Sequence, residues 1–336
     1  MNFKAVFFGL LVVLLVFAPS CSALNIVSTT SVLWDPLQSI GGEYVNVTYI
    51  ADPAICPHMQ GDIIPNRIQM QMDFIESADM FVAHNSSVDK EYVMPYLDKF
   101  MEANGFGKIK WTTLKDPDMS WNTPDKAKAL AEETESWLVE ADPEHKDYYD
   151  ANLEDYIKEI YEKGNLTQEE KNTIPGQKAV VMIWQKDAAQ NWLGLDIVDI
   201  FAPDFYMGGN YTAAKLVDSI NENPNDYRDV SYVVENMQSG EIAKGVEEAL
   251  TDLGYNSKRV VFTNFPRSID GVDSIPDVLA YNKNLVNPGS VPAGNGSVTS
   301  AQTRPVSTAT KSPGFSGILA LTGVLSTLVI FKRRFN

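Results

Sequence analysis

The chain has 336 residues, and 44 acidic side chains against 27 basic ones give a formal net charge of −17. Such a surface repels nucleic acid and anionic lipid, which excludes polyanion binding, and suits a cationic ligand or a salty exterior. Of the two cysteines, Cys21 lies in a leader-like N-terminus, so Cys56 has no partner for an internal disulfide and must be buried or bound to something.

Residues 1–24, from MNFKAVFFGLLVVLL to CSAL, combine one basic residue, an apolar run and small residues. This is the pattern of a secretory signal peptide. Cys21 in APSC is a poor site for acylation. Then residues 25–31, within LNIVSTTS, predict a strand, 36–42 a helix ending at Gly41-Gly42, and the alternating YVNVTYIA (44–51) a second strand. The loop DPAICPH follows, and Pro65-Asn66 is expected to open a helix. MFVAH (80–84) reads as a third, buried strand. This strand–helix alternation predicts a parallel sheet covered by helices.

Residues 124–165 are helical in pattern, split by Pro143, and the second part is acidic, aromatic and at least about five turns long. The alternation then restarts: strands at 178–184, 229–236 and 259–264, helices at 239–252 and 273–284. The expected organisation is an α/β fold of two parallel-sheet lobes, 25–142 and 173–286, joined by one long helix within 143–172, with the ligand cleft between the lobes. Residues 287–312 are rich in Pro, Gly, Ser and Thr and read as a surface stalk. Residues 313–336 hold about 18 apolar or small residues followed by Lys332, Arg333 and Arg334, a membrane anchor with its basic end inside and the body outside. Pro313-Gly314-Phe315 before an apolar helix and a basic cluster resembles the archaeal PGF sorting tail, which implies cleavage and lipid attachment. Sequons at Asn46, Asn85, Asn165, Asn210 and Asn295 agree with an extracellular glycoprotein body.

Several stretches, in order, carry a wider resemblance: IVSTTSVLWDPLQSIGG, VTYIADPAICPHMQGDIIP, ESADMFVAH, ADPEHKDYYDANLEDYIKEI, VVENMQSGEIAKGVEEAL and DVLAYNKNLV. Together they resemble the metal-binding, substrate-capturing proteins of ABC importers for zinc and manganese, over about 25–285. That resemblance implies two α/β lobes on one rigid linking helix, and a metal held by three histidines and one carboxylate, two ligands from each lobe. His58 matches the first of these. The other positions depart from the pattern. Asp118 stands where an Asp-Pro-His motif would place a histidine, Gln185 follows the first strand of the second lobe, and Asp270 or Asp273 in FPRSIDGVD takes the place of the late carboxylate. The chain therefore reads as a divergent branch.

From the residues themselves, Cys56 and His58 share a loop at the carboxyl end of a strand, the edge where open α/β sheets bind ligands. A thiolate and an imidazole there suit zinc or copper(I). The plain alternative is a small buried cysteine beside a hydrogen-bonded histidine. His84 ends the next strand and should face the same cleft. The candidate metal ligands are thus Cys56, His58, His84, Asp118, Gln185 and Asp270, with His145 expected on the surface. No phosphate loop or nucleophile elbow is present, so no enzyme is expected. The expected role is a monomeric, extracellular, membrane-anchored binding protein. It would pass Zn2+ or Mn2+, with Cu+ a further option, to an importer permease. A metal chelate or small organic solute, and a surface adhesion protein without metal, are the alternatives.

Overall fold

The computed structural model describes residues 23–287. The expected signal peptide, stalk, PGF tail and membrane anchor lie outside them. No helix of the described residues is long and apolar enough to cross a membrane.

Two four-stranded, all-parallel sheets organise the chain. The first contains β1 (Leu24–Ser28), β2 (Val45–Tyr49), β3 (Met80–Ala83) and β4 (Trp111–Thr113), in the order β2-β1-β3-β4. The second contains β5 (Lys178–Met182), β6 (Asp196–Phe201), β7 (Val230–Asn236) and β8 (Lys258–Phe262), in the order β6-β5-β7-β8. The two sheets thus repeat one topology, and the α/β two-lobe expectation holds. In β1, Ile26 and Val27 face opposite sides of the sheet and join different hydrophobic clusters. In β5, Ala179 and Val181 face one side while Val180 and Met182 face the other. Burial on both faces is why these central strands read as unbroken apolar runs.

The strands β4 and β6 fall outside the elements the sequence pattern predicts, and both sit at sheet edges. Their residues are mostly half-buried, so the continuous apolar signal of a central strand is missing. Helix starts also differ from expectation. The first helix is Ser31–Gly41, with Pro36 inside it. The helix expected from Pro65 begins two residues earlier, at Ile63. Pro65 then occupies the first turn, where a backbone N–H has no helical acceptor to lose. Ile-Gly-Gly ends the first helix for a steric reason. Gly42 has φ of 55°, and a Cβ there would stand 2.2 Å from the hydroxyl of Tyr148. A Cβ at Gly41 would strike Val45.

Pro143 does split the long helical stretch. Pro124–Ala141 is capped by Thr123, whose side chain accepts from the Lys126 N–H, and has Pro124 in its first turn. A single 3₁₀ turn at Pro143–His145 leads into Lys146–Gly164. The region 143–172, expected as one linking helix, therefore holds this helix and the start of a short capped one, Gln168–Thr173. Tyr149, Tyr156 and Ile160 of Lys146–Gly164 pack with Leu33, Leu37 and Ile40 of the first helix, and with Ile275 and Leu279 of the last helix, Ile275–Leu285.

One buried carboxylate ties those three helices together. Asp35 accepts from Tyr156 Oη at 2.6 Å, from the backbone N–H of Ile275 at 2.6 Å and from Ser39 Oγ at 3.3 Å. Lys163 bridges to Asp277 at 2.7 Å, and the nearly buried Lys283 pairs with Glu170 at 3.3 Å and donates to the Asn165 carbonyl. The helix Ile275–Leu285 is thereby locked onto the helix that joins the two sheets.

Burial raises the Asp35 pKa from 3.8 to about 6, against the lowering effect of its hydrogen bonds from Tyr156, Ile275 and Ser39. The folded protein then keeps a proton that the unfolded chain releases between those values, so this group's stabilising contribution is full below pH 4 and falls as pH rises to about 6. The difference corresponds to about 3 kcal/mol. Denaturant titrations of the wild type and Asp35→Asn across pH 4–6.5 should show a stability difference that shifts by that order, in favour of the asparagine variant at the higher pH. A difference independent of pH would contradict this origin.

Candidate functional site

A parallel sheet of order β2-β1-β3-β4 reverses its direction of growth between β1 and β3, and the crevice beyond the strand ends at such a point is where ligands bind. The corresponding point in the second sheet lies between β5 and β7. The residues just past β1 are Thr29–Ser31 and those past β3 begin at His84. Past β5 come Ile183–Gln185, and β7 runs into Asn236 and the 3₁₀ turn Met237–Ser239. The two sets of strand ends are linked along one seam through Trp121, which lies on His84 and bonds Asn264, and Asn122, which bonds Trp184.

The seam is closed by direct contacts. The indole N–H of Trp121 donates to the Asn264 carbonyl at 2.6 Å, and Asn122 Nδ2 donates to the Trp184 carbonyl at 3.1 Å. Gln238 Nε2 donates to the Pro53 carbonyl at 2.9 Å and to Thr263 Oγ1 at 3.0 Å, while its own carbonyl accepts from the Cys56 N–H at 3.2 Å. Ser120 Oγ donates to Asp187 at 3.3 Å.

The sequence-predicted site residues fall into three positions. His84 and Gln185 are in the interior of the seam, 4% and 0% exposed. His84 Nε2 shares a 2.8 Å hydrogen bond with Thr30 Oγ1, and its ring lies against Trp121 at 4.8 Å between centroids. Gln185 Nε2 donates to both Asn236 Oδ1 at 2.8 Å and Asn264 Oδ1 at 2.9 Å. Cys56 and His58 stand at the rim, both half-buried. His58 packs on Phe205 at 4.7 Å and on Tyr92 at 6.2 Å. Asp118 and Asp270 are exposed: the backbone N–H of Asp118 donates to Asp116 Oδ1, and Asp270 lies in the turn closed by the Ile269–Val272 bridge. His145, expected on the surface, is instead partly buried, stacked on Tyr44 and bonded to Asp142 at 2.6 Å.

The electrostatics separate the tiers. Burial lowers the His84 pKa, partly offset by the neighbouring Asp89, and burial raises that of Asp89, partly offset by His84. Burial also raises the Cys56 thiol and lowers His58. Neutral imidazoles and a protonated thiol are therefore the resting forms near neutral pH. Among the described residues, no three His, Cys, Asp or Glu side chains gather to hold a metal ion. The buried side-chain polar atoms without a partner, among the described residues, are Ser31 Oγ, His84 Nδ1, Asn122 Oδ1 and Gln185 Oε1.

The family model for the periplasmic zinc-uptake complex component A, ZnuA, matches residues 26–282. The chain belongs to the ZnuA family. The "manganese-binding lipoprotein MntA" of Halalkalibacterium halodurans is 28% identical over 176 residues, 48% of this chain, which spans only about half (54%) of that relative's length. A crystal structure of ZnuA is 20% identical, covers 79% of this chain and all of its own, and superposes with a TM-score of 0.54. A Mn-bound periplasmic metal-binding protein from Candidatus Liberibacter asiaticus is 14% identical over 78% of this chain and 97% of its own, with a TM-score of 0.58. At these identities the two structures speak for the fold alone.

The ZnuA family is one of uptake components rather than enzymes. Within it, this chain builds its interior seam from amides, a hydroxyl and one imidazole. Sequence reasoning missed Ser31, Asn122, Trp121, Asn264, Gln238 and Phe205. The run Trp121-Asn122-Thr123 before Pro124 marks a helix start, but nothing in it signals contact with the second sheet.

The ring contact between His58 and Phe205 gives a test of the rim. Phe205→Ala should raise the His58 pKa toward 6.5 by restoring water to the ring, read from the proton shifts of His58 in a pH titration. An unchanged value would mean that the desolvation comes from elsewhere.

Proposed function

We propose that this protein captures a transition-metal ion of the zinc–manganese class outside the cell and delivers it to the permease of an ABC importer. Family membership over 26–282 and the meeting of two like switch points in one seam support this reading. The observation that carries it is the interior of that seam, where His84 Nδ1 and Gln185 Oε1 are buried without hydrogen-bond partners. Burying such atoms without partners costs free energy, and a captured ligand relieves that cost.

The linking helix and the buried Asp35 contacts make the frame stiff. Closure is therefore small, and affinity depends on donors held in place rather than on a large domain movement. A hand-off to a permease needs the cargo to leave again, which neutral donors favour over thiolates. The expected signal peptide would direct the body out of the cell, and the stalk and PGF-type tail would hold it at the outer face of the membrane as a monomer, with the acidic surface drawing cations toward it.

Calorimetric titration of the metal-stripped protein with Zn2+ and with Mn2+ tests the reading. One equivalent of either ion bound, with a rise in thermal stability that grows with free metal, is the expected outcome. A well-folded protein that takes up neither ion would overturn it.

A further inference from the structure

The fold separates the sequons by what surrounds them. Asn46 sits in β2, and its amide donates to Asn25 Oδ1 at 3.2 Å. Asn85 is half-buried at φ 62°, directly after His84. Asn295 lies outside the described residues. Asn210 is exposed, just past the turn Tyr206–Gly209. Asn165 is exposed as well, on a rigid backbone. Its N–H donates to the Tyr161 carbonyl at 2.9 Å at the end of the joining helix, and its carbonyl accepts from Lys283 Nζ at 3.0 Å. Asn165 also lines a cavity of about 360 Å³, together with Asp125 and Lys126 of the helix Pro124–Ala141 and with Asp187, Asn191 and Trp192 of the segment after β5.

We propose that Asn165, in the sequon Asn165-Leu166-Thr167, carries an N-linked glycan whose first sugars lie in this cavity. The donor is an oligosaccharide carried on a lipid phosphate. The Asn165 amide nitrogen attacks the anomeric carbon and forms a C–N bond. The C–O bond to the lipid phosphate breaks, the phosphate leaves with the electron pair, and the amide proton goes to a base of the transferase. In the folded protein Thr167 Oγ1 caps Gln168–Thr173 by accepting from the Glu170 N–H at 3.2 Å, so transfer precedes the closing of that turn.

The lining suits a sugar. A pyranose presents C–H groups on its faces and hydroxyls around its edge. The half-buried Trp192 offers aromatic surface to the first. Its indole N–H donates to the Gly164 carbonyl at 2.9 Å, which fixes the ring beside Asn165. Carboxylates and amides together accept from and donate to hydroxyls. Asp125 is oriented by Tyr161 Oη at 2.9 Å, and Asp187 by Asn191 Nδ2 at 2.6 Å and Ser120 Oγ at 3.3 Å. A bare cation is served less well, since Lys126 Nζ already stands 3.9 Å from Asp187. The volume falls within the range of ligand pockets, about 300–1,000 Å³. The walls come from both lobes and the end of the joining helix, so a seated glycan braces them against one another.

Trypsin cuts after Lys163 and Lys171, and the peptide 164–171 holds Asn165 as its only asparagine. Intact-glycopeptide mass spectrometry on the full-length protein from its own cells should find this peptide with added hexose or hexosamine mass. Asn165→Gln made in the same cells should lack it. In the metal-stripped state the glycosylated wild type should melt about 2–4 °C above Asn165→Gln. Wild-type chain from a host without N-glycosylation gives the same comparison if Asn165→Gln does not fold. Asn191→Ala, on an exposed wall residue, should at least halve the gap between glycosylated and unglycosylated chains. An unmodified peptide 164–171, whether or not Asn210 is modified, would overturn the site. A glycan on Asn165 with no melting difference, or with one that Asn191→Ala leaves unchanged, would overturn its seat in the cavity. Metal capture stands or falls separately from these results.

Discussion

The two lobes keep a fixed relation because one carboxylate is buried where three helices meet. Asp35 leaves the first helix, reaches Tyr156 on the joining helix and closes on the backbone N–H of Ile275 at the start of the last helix. The last of these lies 240 residues away in sequence. Losing it would leave a tyrosine hydroxyl and a helix N–H unsatisfied in the interior, which costs more than the hydrogen bonds themselves contribute. The Lys163–Asp277 and Lys283–Glu170 pairs extend the same lock along the joining helix. Everything at the seam depends on this frame, since Trp121 and Asn264 are brought together from opposite sides of it.

Within the frame the seam divides into a rim and an interior of different chemistry. Its rim carries the reactive residue types, Cys56 and His58, but burial holds the first as a thiol and aromatic rings shield the second. Its interior carries amides, whose protons are committed to neighbouring residues and whose oxygens are not. Polar atoms left bare at 0% exposure are rare in folded proteins and call for a ligand or ordered water. Their concentration along the line where two like switch points meet is what separates this seam from an ordinary interface between lobes.

The repeated β2-β1-β3-β4 and β6-β5-β7-β8 orders carry no detectable sequence repeat, because the shared property is burial on both faces rather than particular residues. That burial made β1, β3, β5 and β7 legible. The edge strands β2 and β8 were also read, from the alternation of 44–51 and the apolar run in 259–264, whereas the half-buried edge strands Trp111–Thr113 and Asp196–Phe201 passed unread. The 239–252 helix was expected five residues too early because Met237–Ser239 is a separate 3₁₀ turn ended by Gly240 at φ 76°. That turn is what aims Gln238 across the seam.

The sequence by itself determined the class of fold, the long helix between two α/β halves and the family. It named Cys56, His58, His84, Asp118, Gln185 and Asp270 as candidates, of which the fold buries His84 and Gln185 in the seam. These are local matters of periodicity, breakers and residue order. Which polar residues lack partners was decided only by tertiary structure. Ser31 and Asn122 look like ordinary helix-start residues until Thr30 meets His84 and Trp184 meets Asn122 across distances in sequence that no local pattern spans. Hydrogen-bond satisfaction is a property of the whole packed interior, so an unsatisfied atom becomes visible only when every neighbour is in place.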